Sequence, residues 1–464
     1  MLFGDLQPKA APPAADNDYI VAADGGGDFC TIQGATDAVT DNDSTRTIIK
    51  IKNGTYRELV HIPATKTNVT WLGEDANTTI IAGYNRDALN PGSDYRSMVK
   101  CSSNGFRIYN IRLHNTAGDN AGQAETIKHS GQRGMAFDCE FLSWQDTLLL
   151  NGQMYFKNCY IEGDTDYIWG SGTVYFDKCV MKSLSNNSYI TQPRTPDGLY
   201  GFFMVDCNFP VLKGIRYIYL GRMFSGYPYA QVVLINCRMY SSIVYPVGWN
   251  LNDTEPGNLR LWEYQSRNLT TGALININSR LNPGSRQLTD EEAIYWRDAN
   301  NVFALNPWNP KALEAPTESW LPYPTNTNGD IDTSGISLTW AAGAGATSHI
   351  VYFGTTNPPP QIIEQTELSF PTDPLNINTT YYWRIDEKNS TGITSGQVLS
   401  FTTKSYNCLV PIVWDTDNNC ELNFLDYVAF AEGWTSEGID FADLANIAME
   451  WLNCNRNPSE ECWQ

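Results

Sequence analysis

Five short segments of the chain repeat one pattern of apolar and polar positions. They are AFDCEF around Cys139, FKNCYI around Cys159, FDKCVM around Cys179, MVDCNF around Cys207 and LINCRM around Cys237. In each, a large apolar residue stands two positions beyond the cysteine: Phe141, Ile161, Met181, Phe209 and Met239. A period of two with one apolar face is a half-buried strand. Successive cysteines are 20, 20, 28 and 30 residues apart. One short strand per repeat at such spacings predicts the stacked coils of a parallel β-helix. FRIYNIRLHN, with Ile111 and Leu113, predicts an earlier coil. The cysteines then stack inward as free thiols and act as small hydrophobes.

Near residue 289 the pattern changes. Thr289-Asp290-Glu291-Glu292 is a capping box ahead of AIYWRDANNVF, which predicts a helix closing the first domain. The proline-punctuated NPWNPKALEAPTESWLPYP reads as a linker. Residues 330–403 alternate as short strands in ISLTW, HIVYFG, YYWRIDEKN and VLSFTT, the pattern of a small β-sandwich. Through Trp340 and Tyr382/Trp383 this segment resembles a fibronectin type III module and is expected to be a spacer.

The last sixty residues turn to helical spacing in NFLDYVAFAEGW and DFADLANIAMEWL. Ahead of the first helix, oxygen-bearing side chains include Asp415, Asp417, Asn419, Asn423 and Asp426. Their offsets are those of a calcium-binding loop. Cys420 stands where such a loop usually has Gly. The segment resembles a degenerate dockerin, with calcium or acidic helix caps as the two readings. Cys408, Cys420, Cys454 and Cys462 can make two disulfides there. The expected fold class is mainly β: a right-handed parallel β-helix, then a small β-sandwich, then a small helical calcium-loop module. The expected boundaries are an N-terminal linker over 1–18, the β-helix over 19–312, the sandwich over 313–404 and the last module over 405–464.

Composition and charge narrow the functions. Hydrophobic residues make up 42% of the 464, enough for a large core. No run of apolar residues is long enough to span a membrane. A net charge of −20 argues against nucleic acid, which needs a basic footprint. Half of that charge lies in residues 405–464, with eleven acidic side chains and one basic. MLFGDLQPKAAPPAADNDY has no apolar signal region and reads as a linker. The protein is expected to be secreted or at the cell surface.

The coil count also gives candidate chemistry. Asp146 lies seven residues after Cys139, and Asp166 seven after Cys159. If the cysteines stack, so do the aspartates, about 4.8 Å apart in the strand-to-strand direction. Two carboxylates that close do not both ionise easily, so one pKa rises. That would set a protonated acid beside an ionised nucleophile. The structural alternative is a pair of turn aspartates capping backbone amides. The chain has four histidines, no G-x-S-x-G elbow and no H-E-x-x-H. Any chemistry is therefore carboxylate chemistry.

Here the motifs become recognisable. Ser143-Trp144-Gln145-Asp146-Thr147-Leu148 resembles the GFQDTL of pectin methylesterases, and Gly163–Gly170 resembles their GTVDFIFG. Gln123-Ala124-Glu125-Thr126-Ile127 is similar to QAVAL, Tyr219–Phe224 to YLGRPW, and Pro246–Trp249 to P-x-G-W. The likeness runs over about residues 19–300. It implies a metal-free pectinesterase, a carbohydrate esterase that hydrolyses C6 methyl esters of polygalacturonate. It implies Asp166 as nucleophile, Asp146 as general acid then base, Gln123 and Gln145 as oxyanion donors, and Arg222 as the residue holding Asp166. Trp249, Phe224 and Tyr167 are the sugar-subsite candidates, while Trp169 is expected to pack inside. Calcium, if bound, belongs to the last module, which would attach the enzyme to a protein partner or a surface. The net negative charge favours a methyl-rich substrate. The rival readings are a β-helix pectate lyase or polygalacturonase, a thioesterase-like relative, and a non-catalytic pectin-binding surface protein.

Overall fold

A computed structural model describes residues 18–281, 283–311 and 315–405, and beyond those only isolated positions up to 457. Most of the expected linker, both predicted C-terminal helices apart from isolated positions, and the candidate ligands Asp417, Asn419 and Asn423 lie outside the described residues. The chain divides into two compact units, 1–312 and 313–464.

The first unit is the parallel β-helix. Its coils run through three parallel sheets of 11, 9 and 8 strands. The five cysteine segments sit where the eleven-stranded sheet turns into the nine-stranded one. Phe156 pairs with Phe176 on the inside, ring on ring at 4.8 Å, and Phe141 pairs with Ile161 and Leu113. Cys139, Cys159, Cys179, Cys207 and Cys237 are buried free thiols. Several reach back one coil as weak donors: Cys139 Sγ to Ile108 O at 3.5 Å and Cys237 Sγ to Met204 O at 3.2 Å.

The residue ahead of each cysteine turns the corner. Asp138, Asn158, Lys178, Asp206 and Asn236 all have φ between 53° and 56°. Asn and Asp tolerate this left-handed conformation best, which explains the recurrent D-C and N-C pairs. Asn110 repeats the turn at φ 56°, with Ile111 in the cysteine's place. The early coil read from FRIYNIRLHN is therefore present, as the strands Arg107–Tyr109 and Arg112–Asn115.

The closing helix spans Asp290–Arg297, with both hydrogen bonds of the capping box made between Thr289 and Glu292. It is shorter than the pattern suggested. Asp298 interrupts it and caps a further turn over Ala299–Val302 by accepting from Asn300 N–H. Trp296 lays the helix on the eleven-stranded sheet, its ring 5.2 Å from that of Phe203.

The second unit has a three-stranded sheet of Trp320–Tyr323, Ser337–Ala341 and Ser369–Pro371. Its larger, mostly antiparallel sheet is centred on Thr380–Lys388 and Ser348–Gly354. Trp340, Trp383, Val351, Ile385 and Phe401 make the core between them. Cys420 is disulfide-bonded.

Candidate active site

The site grows on the turns that lead from the nine-stranded sheet into the eight-stranded one. Strand positions Ile127, Leu148 and Ile168 stand side by side. Two residues ahead of each lies a carboxylate: Glu125, Asp146 and Asp166. The turns are tight. Asp146 and Asp166 have φ of 66° and 50°, and Asp146 N–H donates to Thr165 O on the next coil at 3.0 Å. Gly163 permits the approach, because a Cβ there would stand 2.6 Å from Trp144 O and 2.3 Å from Tyr167 Cβ.

These residues open into a cavity of about 390 Å³. Asp146, Asp166, Gln123, Gln145, Arg222 and Phe224 all line it. Gln123 and Gln145 face each other in a parallel bridge on neighbouring coils. Asp166 is 3% exposed, and its Oδ2 accepts from Gln192 Nε2 at 2.7 Å and from an Arg222 Nη. Asp166 Oδ1, also buried, has no hydrogen-bond partner among the described residues. Arg222 in turn lies over the Tyr189 ring, 4.8 Å from its centroid.

Asp146 is held differently. Its Oδ2 accepts from Arg96 Nη2 at 2.8 Å. Arg96 also donates through Nε to both oxygens of Glu125, at 2.8 and 3.0 Å, and through Nη1 to Asp87 at 3.0 Å.

Burial dominates the titration of both aspartates. It pushes Asp166 up to about 6, against the pull of Arg222. It pushes Asp146 well above the usual carboxylate range, and the Glu125 charge adds to this while Arg96 opposes it. The expected rise of one carboxyl beside the other is present at Asp146, and only its leading cause is corrected. Asp166 is a lesser cause at Asp146, behind burial, Glu125 and Arg96.

Two subsite candidates are also corrected. Tyr167 is fully buried, with its hydroxyl 3.3 Å from Ser183 Oγ. Side chains alternate along an extended segment, so the residue next to the outward Asp166 points into the core. Trp249 is 2% exposed and belongs to the same core. Trp169, expected to pack inside, is 5% exposed yet lines the cavity, where Arg194 lies 4.4 Å from its ring centroid. Phe224 is on the cavity wall, 40% exposed, its ring centroid 4.9 Å from the Arg194 guanidinium.

Sequence reasoning missed Arg96, Gln192 and Arg194 and assigned no role to Glu125. Counting back from the aligned strands would have found Glu125. Arg96 sits 50 residues from Asp146 and carried no signal of its own.

Among the described residues no group of three His, Cys, Asp or Glu side chains is arranged to hold a metal ion. No helix there is long and apolar enough to cross a membrane.

Known proteins share this arrangement of coils. Pectinesterase 31 of Arabidopsis thaliana is 30% identical over 285 residues, covering 59% of this chain and 88% of its own length. Pectinesterase 5 of the same plant is 34% identical over 277 residues, covering 56% of this chain but 46% of its own. The pectin methylesterase from carrot superposes with a TM-score of 0.57 at 25% identity, covering 63% of this chain and 94% of its own. Pectin methylesterase PemA from Erwinia chrysanthemi gives 0.53 at 26% identity, covering 63% and 98%. A pectin methylesterase crystallised with a hexasaccharide gives 0.53 at 25% identity, covering 63% and 98%. The family described as Pectinesterase matches residues 18–300, the whole span that carries the coils and the cavity, and this chain belongs to that family.

Proposed function

We propose that Asp166 is the nucleophile and Asp146 the proton carrier in the hydrolysis of C6 methyl esters of polygalacturonate. One observation carries this reading. Asp166 has one oxygen fixed by Arg222 and Gln192 and the other unpaired among the described residues, both beside the cavity. Asp166 Oδ1 attacks the ester carbonyl carbon. The oxyanion that forms takes hydrogen bonds from the amides of Gln123 and Gln145, donors set in advance for it. The tetrahedral centre collapses and the C–O bond to methoxide breaks. Asp146 gives that oxygen its proton, and methanol leaves an acyl-enzyme anhydride. Asp146, now ionised, takes a proton from water. The hydroxide attacks the anhydride, free galacturonate leaves, and Asp166 is restored. Arg222 keeps Asp166 ionised and oriented throughout. The working location is wherever methyl-esterified pectin is found, outside the cell.

The test is methanol release from citrus pectin, followed together with the absorbance of unsaturated chain ends. Methanol without that absorbance is expected. Unsaturated ends without methanol would make the protein a lyase and overturn the reading.

A second reading concerns the tail. Asp415 Oδ2 accepts the Cys420 backbone N–H at 2.7 Å, and Cys420 has φ 64°, the left-handed turn for which calcium loops use Gly. Asp426 is buried. These features support a calcium loop in a module used for attachment, with residues 313–404 as spacer. Calorimetric titration with calcium tests it, and the absence of heat at millimolar calcium would overturn it.

A further inference from the structure

Asp146 has a neighbour that works against a proton donor. A guanidinium bonded to a carboxyl favours its ionised form, by one to three pKa units at this range. Yet Arg96 Nη2 stands 2.8 Å from Asp146 Oδ2. The rest of Arg96 explains how the contact is tolerated. Nε is spent on both oxygens of Glu125 and Nη1 on Asp87. The Glu125 side chain is fully buried and that of Arg96 is 10% exposed. One cation is thus shared among three carboxylates, and its plane is fixed by bonds at all three nitrogens.

We infer that Arg96 is a positioning residue for Asp146, and that Glu125 is the counter-charge that lets Asp146 keep its proton while Arg96 holds it. Arg96 fixes Oδ2, which leaves Oδ1 to the departing methoxide. Glu125 cancels the field that would otherwise strip the proton. The inference rests on the reading of Asp146 as proton carrier. The charged groups facing Asp146 are Arg96 and Glu125 on preceding coils, Asp166 on the next, and Arg194 across the cavity. Arg222 is bonded to Asp166, and Asp87 acts through Arg96. Among the described residues the Glu125 carboxylate bonds to no side chain but that of Arg96, and it differs from the other partners of Arg96 in raising Asp146.

The experiment is the pH profile of kcat/KM for methanol release by the full chain. The variants are Glu125→Gln, Arg96→Gln, the double variant, and Asp146→Asn as reference. Asp146 acts when protonated, so its titration sets the alkaline limb. Glu125→Gln should move that limb to lower pH by about one unit or more. Arg96→Gln should move it to higher pH and lower kcat at least about tenfold, because Oδ2 is no longer held. The double variant should return the limb towards wild type and keep the low kcat. Arg96→Gln leaves Glu125 buried and unpaired, so folding is checked by melting. If that variant fails to fold, Glu125→Gln and the double variant carry the test. A role in folding alone would lower stability and leave both limbs where they were. Unmoved limbs, or limbs moving in one direction, with Asp146→Asn inactive, would overturn the inference alone. Full activity in Asp146→Asn would overturn the reading beneath it.

Discussion

Residues 1–312 bury Glu125, Asp146 and Asp166 against Arg96 and Arg222, and residues 313–464 bury Glu387 and Asp386 against His349 and Arg384. The groups are nearly the same, but the bonding differs. Glu387 Oε2 lies 2.5 Å from His349 Nδ1, and Oε1 accepts Gly343 N–H at 3.0 Å. Asp386 accepts from Arg384 and Ser395 on Oδ2 and from Gly396 N–H on Oδ1. Every carboxylate oxygen of that pair of acids has a partner. In the first unit Asp166 Oδ1 has none among the described residues, and it borders a cavity. Buried charge by itself marks structure as readily as chemistry. The unpaired oxygen is what supports the proposal of Asp166 as the reacting group.

The widest gap between the two clusters should appear on neutralising their acids. Asp166→Asn should abolish methanol release, and Asp146→Asn should lower it about 100- to 10,000-fold, with both proteins folded. Near-wild-type turnover in either would reduce the first cluster to a structural one like the second. Glu387→Ala should do the reverse. It strands the Gly343 N–H and the His349 ring, at about 1–3 kcal/mol for each buried donor left unpaired. Calorimetry should register the loss in the second unit, with methanol release unchanged. Lost activity at equal stability would erase the distinction.

The pH dependence sharpens the comparison further. Asp166 must be ionised to attack, so kcat/KM should rise through about pH 6 and fall again where Asp146 loses its proton. Stability carries the opposite sign. Asp166 binds its proton more tightly folded than unfolded, so its contribution is fully present below pH 3.8 and lost as pH rises through about 6. The melting point of Asp166→Asn relative to wild type should therefore climb between pH 4 and 7, by the equivalent of at most about 3 kcal/mol. A flat difference would mean that Arg222 already cancels the cost of burial. The smallest effect is expected from removing the second cluster altogether. A chain ending at residue 312 retains the compact first unit and its capped closing helix, and its specific activity on soluble pectin should match the full chain within about twofold. A folded but inactive truncation would tie the two units together.

What the sequence determined by itself was the periodic part. The cysteine spacing set the stacking of successive coils, and with it the seven-residue offset that brings Asp146 beside Asp166. The Thr289–Glu292 box set the start of the closing helix. These follow from contacts between adjacent coils of regular length or within one helical turn, where a fixed spacing along the chain sets the distance in space. The face taken by Tyr167 and Trp249 needed more, because a motif names neighbours along the chain while alternation decides which of them meets the core. Arg96, Gln192 and Arg194 reach the site from coils whose connecting turns differ in length, so no fixed count leads to them. Only the tertiary structure decided that Arg96 is shared among three carboxylates. Long polar side chains choose partners across coils by reach and burial, and no period in the sequence records that choice.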